Sequence, residues 1–383
     1  MNSFSPRFRP SCGLHVAGAA LAAAITLFVA SCAGAPVAPD STEESTEMTP
    51  IPAVEKSPVS GLPVPAALLA NPLLPAGEDL AVLDWAGFEA SATYSYDDGQ
   101  PSHIAHWEAL KETGVPMTWY LMTNSNWPAG YDATWKDALA NGHELGNHTH
   151  THNNLVKYAD SAAIVADLDS CETYLRDRLG QEGTPSFAYP FGETGWKEHF
   201  DKNADGSARD ASRFLFARTV QNGRIGPRAT IDPLFLPIFG VTGSHREADF
   251  IRELDAALAA KSWTIFMYHS ILPGDNWYAG VPLEDVLGSL DHARRGQKMW
   301  LDTVLSIASY WYAARLFRSL EPVDNADGQS WTWPLPAAFP GGRYLRVSIP
   351  QGSLWQGGRE LAKHEAGFYE IALDEGTLLW KKN

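Results

Sequence analysis

Short apolar runs and amphipathic helices alternate along most of this chain, and no other feature of the sequence limits its fold as strongly. Between residues 90 and 320 the two patterns follow each other about seven times. The run ASATYSY at 90–96 is typical of a buried strand, and PSHIAHWEALKETG at 101–114 is typical of a helix that ends at a glycine. Strands separated by helices predict a parallel sheet, either closed into a barrel or wound open. In such folds the chemistry lies where strands end and loops begin.

The pattern changes after residue 320. The segments SWTWPLP, RYLRVSIP, FYEIALD and TLLWKKN alternate in polarity and are separated by glycine and proline. They predict a small β module over 321–383, which follows an α/β domain over 77–320. The sequence leaves open whether the module packs against the domain or contacts a glycan, and packing is the favoured interpretation.

The N-terminal region is predicted to lie outside the fold. Two arginines precede an apolar stretch that is too short and too rich in alanine for a membrane span, so 1–31 is interpreted as a signal peptide. The stretch ends in Val-Ala-Ser-Cys, which resembles the bacterial lipobox and makes Cys32 the predicted lipidation site; a plain signal peptide is the alternative. Residues 32–76, rich in Pro, Ala, Ser, Thr and Glu, predict a flexible tether. We therefore expect an exported protein held by a lipid anchor in the bacterial cell envelope.

The charge balance limits the classes of partner. The chain has 29 basic and 45 acidic residues, which gives a formal net charge of −16. Because neutralising a phosphate backbone requires clustered lysine and arginine, we expect no nucleic-acid partner. An uncharged glycan is compatible with this charge. Of the three cysteines only Cys171 falls in the predicted domain, so the fold has to be stable without disulfides.

Three histidines lie within five residues in the run HTHTH at 148–152. His148 and His152 are four residues apart, so on a helical turn their rings point the same way and can share one ion, while His150 points away. In an extended segment all three rings would project on one side, which is poor geometry for one metal. A solvated polar loop is a further alternative, so the run alone does not decide for a metal.

Two adjacent carboxylates, Asp97 and Asp98, follow an apolar strand and precede a glycine. Buried carboxylates are costly unless their charge is compensated, and neighbours on a strand point in different directions. One can therefore bind a metal while the other accepts a proton; a simple Asp-Asp-Gly turn is the alternative.

The run WTIFMYHS places His269 at the same end of another strand, where its ordinary pKa suits acid–base catalysis. A structural histidine is the alternative there.

Four short segments, in order, resemble the motifs of the polysaccharide deacetylases of carbohydrate esterase family four, also called NodB-like. The first motif, T-F-D-D-G, is similar to SYDDG at 95–99, and the second, H-[ST]-x-x-H, to HTHTH at 148–152. The third, R-x-P-[YF], is half matched by AYPF at 188–191, and the last, an apolar strand ending in histidine, by IFMYH at 265–269. The resemblance covers about 80–320 and implies a distorted (β/α)7 barrel of the TIM type, followed by the small C-terminal β module.

The resemblance also implies a role for each matching residue. The implied ligands of a divalent metal, usually zinc but with cobalt or nickel also suited to the ligand set, are Asp98, His148 and His152. Asp97 is the implied general base that takes a proton from the attacking water. The backbone N–H of Phe191 is implied to stabilise the oxyanion, and His269 to protonate the leaving group.

Two departures from the family pattern affect these expectations. Ala188 stands where the family has the arginine that orients the base. The family's fourth motif, an Asp and Trp group behind the catalytic histidine, is not recognisable. Arg218, in the strand FLFARTV, is the nearest candidate to replace the missing arginine, and an ordinary surface salt bridge is the alternative.

The predicted function is metal-dependent hydrolysis of acetyl groups from a carbohydrate, with release of acetate. N-acetyl and O-acetyl substrates are both compatible with the sequence. A glycan-binding envelope lipoprotein that has lost turnover is the alternative, and a metal-dependent hydrolase of another amide is a third possibility. The departures favour the binding role, but a pure binder has no need for a base, a metal and an acid together.

Overall fold

The computed structural model describes residues 54–74, 80–124 and 129–382. The predicted signal peptide over 1–31, the predicted lipidation site Cys32 and the first part of the predicted tether lie outside the described residues. None of the helices in the described ranges combines the length and the apolar character that a membrane crossing requires.

The described residues form eighteen β-strands and eight α-helices. The strands are β1 Ala81–Val82, β2 Ala90–Asp98, β3 Thr118–Leu121, β4 Glu144–Asn147, β5 Phe187–Ala188, β6 Ala217–Asn222, β7 Leu236–Gly240, β8 Trp263–Tyr268, β9 Ile271–Leu272, β10 Val281–Pro282, β11 Met299–Leu301, β12 Val323–Asn325, β13 Gly328–Thr332, β14 Tyr344–Ser348, β15 Ser353–Gln356, β16 Arg359–Glu360, β17 Tyr369–Ala372 and β18 Thr377–Lys381. The helices are α1 Ala66–Ala70, α2 Pro101–Ala105, α3 Trp107–Glu112, α4 Asp132–Ala140, α5 Ser161–Thr173, α6 Glu247–Ala259, α7 Leu283–Gly296 and α8 Val304–Arg318.

Seven parallel strands, β2 to β8, form a closed barrel in chain order. Each strand pairs with the next, and β8 pairs with β2 from the Ser91–Trp263 pair to the Tyr96–Tyr268 pair, which closes the ring. The barrel is distorted because β2 changes its other neighbour part-way. Its first three residues pair with β11, and its last four, beginning at Ser95, pair with β3. The predicted distorted (β/α)7 barrel is confirmed.

The strands β2, β3 and β8 are buried along almost their whole length, as expected for parallel strands that are covered on both faces. All nine residues of β2 are buried. The Tyr96 ring stacks on Trp119 at a centroid distance of 4.5 Å and on Tyr268 at 5.2 Å. On the outside, Phe250 of α6 packs edge-on against Tyr268 at 5.4 Å. These contacts fix the carboxyl ends of β2 and β8, where polar side chains follow the aromatic ones.

The strands after residue 320 form two antiparallel groups. β12, β13, β18, β15 and β16 make one sheet. In the other, β14 pairs with β17 on one side and on the other side with β1, which precedes the barrel. Trp380 and Leu345 from these strands share one buried core with Trp311 of α8 and with Trp263 of the barrel. The C-terminal strands that the sequence predicted are therefore present, and they pack against the barrel.

The structure corrects the predicted extent of the tether over 32–76, because residues 54–74 pack against the C-terminal strands. Val64 is buried together with Phe368, and Leu73 donates its backbone N–H to the Ala366 carbonyl at 2.8 Å. Ser57 donates a hydrogen bond of 2.5 Å to Glu370. The proline and alanine content of this segment suggested a tether, but Val64 is buried, and Leu68, Leu69 and Leu73 pack against the same cluster.

Candidate metal centre and active site

The side chains singled out from the sequence converge at the carboxyl edge of the barrel. Asp97 and Asp98 are the last two residues of β2, His148 follows β4 directly, and His269 follows β8 directly. Arg218 is the second residue of β6. Because these strands are parallel members of one closed barrel, their carboxyl ends meet at one edge. With His152, which contacts His148, this arrangement brings together a pair of carboxylates, three imidazoles and one guanidinium.

Asp98, His148 and His152 form the candidate metal site. Oδ1 of Asp98 lies 3.6 Å from Nε2 of His148 and 3.7 Å from Nε2 of His152. The two Nε2 atoms lie 3.1 Å apart, and one ligand atom from each of the three residues falls within 4.8 Å of the others. The spacing of these atoms allows all three to reach one cation.

The protonation of the two imidazoles fits a metal. Nδ1 of His148 lies 2.8 Å from the Ala188 carbonyl oxygen, so it carries the proton and leaves the Nε2 lone pair directed at the site. Burial lowers the pKa of His148 well below its ordinary value, and the neighbouring His152 lowers it further. Burial also lowers the pKa of His152, although the Asp98 carboxylate opposes this effect. Two neutral imidazoles and one carboxylate are a donor set that zinc favours.

The residues 148–152 form a loop and not the helical turn on which the sequence argument placed the two rings. Thr149 and His152 have positive φ angles of 67° and 50°. Thr149 Oγ1 accepts the N–H of His152 at 3.0 Å, which folds the loop back on itself. His150 turns aside, and its Nδ1 lies 2.8 Å from Thr123 Oγ1. The rings of His148 and His152 therefore face each other because of loop geometry, and His150 takes no part in the ligand cluster.

Asp167 on α5 holds this loop, and the sequence analysis did not single it out. Its Oδ1 accepts the backbone N–H groups of His150 and Thr151 at 2.6 and 3.2 Å. Its Oδ2 accepts the hydroxyls of Thr151 and Tyr158 at 2.5 and 2.9 Å. An acidic residue among the buried positions of α5, between Ile164 and Cys171, is the sequence signal that could have identified it.

Arg218 contacts the predicted base. Its side chain is fully buried, and Nη2 donates a hydrogen bond to Oδ1 of Asp97. The guanidinium also lies over the Tyr120 ring, 4.6 Å from the centroid. Burial lowers the pKa of Arg218 to about 9, so it is still a cation at neutral pH. β5 pairs with β6, and in this pairing Ala188 lies opposite Arg218. The arginine of this chain therefore comes from β6, whereas the family pattern places it on the neighbouring strand, at the position of Ala188.

Asp97 also lies close to two imidazoles. Its Oδ2 is 3.8 Å from Nε2 of His148 and 3.9 Å from Nε2 of His269. Burial lowers the pKa of His269 to about 4; among the nearby charges, Asp98 opposes this shift and Arg218 adds to it. The His269 ring is therefore neutral at pH 7, and the edge of Tyr278 packs against it at a centroid distance of 4.7 Å.

Phe191 lies in the turn Pro190–Gly192 after β5, with a positive φ of 54°. The residue is 57% exposed, and its ring lies 4.6 Å from the ring of His152, measured between centroids. The turn places the Phe191 residue beside the ligand cluster. Its role as an oxyanion donor stays a prediction.

Comparison with known families gives a match over the first part of the barrel. Residues 89–210 match the family model described as polysaccharide deacetylase. This stretch carries both aspartates, the two candidate histidine ligands and Phe191, whereas Arg218 and His269 lie beyond it. No curated protein matches the chain.

Several solved structures are similar at low identity. The Xyl-CE4 domain of a multidomain xylanase from the hindgut metagenome of Trinervitermes trinervoides is 14% identical, with 57% of this chain and 89% of that chain covered and a TM-score of 0.40. A family 4 carbohydrate esterase from Streptomyces lividans, in complex with acetate, is 14% identical, with 58% and 95% covered and a TM-score of 0.38. A family 4 acetyl xylan esterase from Clostridium thermocellum, in complex with a cobalt ion, is 15% identical, with 55% and 98% covered and a TM-score of 0.32.

Proposed function

We propose that this protein is a metal-dependent hydrolase that removes acetyl groups from a carbohydrate and releases acetate. The observation that carries the proposal is the convergence of three candidate metal ligands with Asp97 and His269 at one edge of the barrel. The family match over 89–210 supports carbohydrate deacetylation as the reaction class. Both N-acetyl and O-acetyl glycans belong to the substrate class that we propose.

Asp98, His148 and His152 would hold the cation, with zinc as the first choice and cobalt or nickel as alternatives. Such an ion would polarise the acetyl carbonyl and acidify a water molecule. The remaining steps belong to side chains of the chain itself. Asp97 accepts a proton from the attacking water, whose oxygen forms the new bond to the acetyl carbon. Arg218 keeps the Asp97 carboxylate ionised and oriented.

His269 completes the reaction by protonating the leaving nitrogen or oxygen as its bond to the acetyl carbon breaks. Because burial lowers the pKa of His269 to about 4, it needs a proton before it can donate one. The proton that Asp97 takes from water is the nearest source, since Oδ2 of Asp97 lies 3.9 Å from Nε2 of His269. The backbone N–H of Phe191 stabilises the oxyanion in this scheme.

Acetate release from a panel of N- and O-acetylated glycans, by the full chain purified in detergent, tests the proposal. We expect release that stops on addition of a chelator and returns with zinc. The variant Asp97→Asn should keep zinc and glycan binding and lose release, because an amide cannot accept the proton. A wild-type chain that binds glycan and zinc but releases no acetate from any substrate would support the glycan-binding alternative instead.

We also propose that the protein is exported and held in the cell envelope by a lipid on Cys32. The lipobox-like sequence before Cys32 and the apolar stretch that precedes it support this localisation. The anchor would place the active site near envelope glycans.

A further inference from the structure

A buried glutamine, Gln100, joins the candidate metal site to the loop that carries His269. It is 0% exposed and lies two residues after Asp98. Its Nε2 donates a 3.0 Å hydrogen bond to Oδ2 of Asp98. Its Oε1 accepts a 2.5 Å hydrogen bond from the hydroxyl of Ser270, the residue after His269. One side chain therefore contacts both ends of the active site.

The hydrogen bonds around Gln100 allow one orientation of its amide. The Asp98 carboxylate only accepts, so the amide nitrogen has to face it and the amide oxygen has to face Ser270. The Ser270 hydroxyl then donates to Gln100, and its oxygen is free to accept the Tyr278 N–H at 3.1 Å. Three hydrogen bonds therefore run in one direction: the Tyr278 N–H donates to Ser270, the Ser270 hydroxyl donates to Gln100, and the Gln100 amide donates to Asp98.

His103 makes a second bridge beside the first. Its Nδ1 accepts the backbone N–H of Gln100 at 3.1 Å, so its Nε2 carries the proton and donates to the His269 carbonyl at 2.7 Å. Burial lowers the pKa of His103 to about 4, which keeps the ring in this neutral form. Both bridges hold the turn after β2 against the end of β8.

The backbone of the turn after β2 has an unfavourable conformation, which the hydrogen bonds of Gln100 stabilise. Asp98 and Gly99 both have positive φ angles, 74° and 65°. An aspartate, unlike a glycine, adopts such a conformation at an energetic cost. The hydrogen bonds of Gln100 offset this cost and at the same time fix the direction in which the Asp98 carboxylate points.

We propose that Gln100 is the positioning residue of the metal ligand Asp98, and the proposal rests on the metal site of the proposed function. Gln100 occupies Oδ2 and so leaves Oδ1, the oxygen that faces both histidines, for the cation. Side chains that hold a ligand in this way typically contribute 10- to 100-fold to metal affinity or activity. The effect should pass along these three hydrogen bonds, so that Ser270 contributes in the same direction and to a smaller extent.

The test measures zinc affinity of the full chain by competition with a chromophoric chelator. Gln100→Met keeps the length of the side chain and removes both hydrogen bonds, and we expect zinc to bind 10- to 100-fold more weakly. Ser270→Ala should weaken zinc binding several-fold. The visible d–d absorption of the cobalt-loaded protein should change in Gln100→Met, because the Asp98 carboxylate is free to rotate. Ser91→Ala is the matched control: it removes a hydroxyl from a buried position on β2, the strand that carries Asp98, and it should leave both readouts unchanged.

Wild-type zinc affinity and an unchanged cobalt spectrum in folded Gln100→Met would overturn the proposal, as would an equal loss of affinity in Ser91→Ala. If Gln100→Met does not fold, Ser270→Ala decides, and wild-type affinity in that variant overturns the proposal. Acetate release is measured in parallel to separate the two inferences. A wild-type chain that binds zinc and releases no acetate contradicts the proposed function alone, whereas one that binds neither zinc nor cobalt contradicts both.

Discussion

Replacing Arg218 by alanine should both destabilise the protein and impair catalysis, because the guanidinium is the partner of a buried carboxylate. Asp97 is 3% exposed, and Arg218 is 0% exposed. Removing one member of a buried ion pair typically costs about 3–5 kcal/mol, since the other charge is left without compensation. For a domain of this size the unfolding temperature should fall by roughly 6–10 °C, at about 2 °C for each kcal/mol.

The catalytic effect follows from the same contact. An unpaired buried carboxylate holds a proton more tightly, so Asp97 in Arg218→Ala should be protonated over part of the pH range in which the wild type is active. A positioned general base contributes about 10²–10⁴-fold to rate. We therefore expect kcat/KM for acetate release to fall by roughly 10²–10³-fold near neutral pH, with the acid limb of the pH profile moved to higher pH. Zinc affinity should change little, because the side chain of Arg218 donates its hydrogen bond to Asp97 and not to one of the three candidate metal ligands.

The measurement combines a pH–rate profile, a zinc titration and a thermal melt. Arg213→Ala is a matched control, since this arginine is also buried and pairs with Asp169 and Glu172 away from the site. It should lower the unfolding temperature without shifting the pH profile. Arg218→Lys keeps a charge but loses the planar contact with Tyr120, and it should fall between the alanine variant and the wild type. If folded Arg218→Ala shows wild-type kcat/KM and an unshifted acid limb, the role assigned to Arg218 is refuted.

Three further predictions concern the metal, acid stability and the lipid anchor. Asp98→Ala should weaken zinc binding by more than about 100-fold, since one of three ligands is lost, and a zinc titration with near wild-type affinity would exclude Asp98 as a ligand. Burial lowers the pKa values of His103 and His143 to about 4, so the unfolded chain takes up more protons between pH 6.5 and pH 4. The free energy of unfolding should keep its full value above pH 6.5 and fall as the pH is lowered, by roughly 1.4 kcal/mol per pH unit for each histidine. A free energy of unfolding from denaturant titrations that stays constant over this window would contradict the prediction. Cys32→Ser expressed in a bacterium should lose labelling by radioactive palmitate and move from the membrane to the soluble fraction, and palmitate on the variant would show that the lipid is attached elsewhere.

The alternation of strands and helices predicted a parallel sheet covered by helices, because few other arrangements bury both faces of such a sheet, and the resemblance of the four motifs selected the closed barrel. The sequence did not predict where a helix is interrupted. PSHIAHWEALKETG, expected as one helix, forms α2 and α3, which are separated at His106 with ψ near 6°. His106 places its Nε2 2.6 Å from the Pro273 carbonyl oxygen, a contact 167 residues away along the chain. Such contacts are decided by tertiary packing, which no local pattern contains.

The candidate ligands could be predicted because their residue types and spacing are tied to metal chemistry, whereas their supports could not. Asp98, His148 and His152 were found from motifs, but Gln100 and Asp167 act through backbone groups and side chains that are distant in sequence. The reason given for pairing His148 with His152, a shared helical face, was also wrong in detail, since a loop with two positive φ angles brings the rings together. Residue identity was therefore more informative than the local conformation inferred from it.

The missing third-motif arginine shows why a departure from a motif is weak evidence about chemistry. Adjacent parallel strands lie about 4.8 Å apart, so a long side chain on β6 can reach the same carboxylate as one on β5. Arg218, opposite Ala188, does so from the neighbouring strand and lies over the Tyr120 ring. That ring packs directly on Gly146 of β4, where an added Cβ would lie 2.3 Å from it. A search along one strand cannot detect an arginine that comes from the next, so the absence of the motif residue does not argue for loss of turnover in this chain.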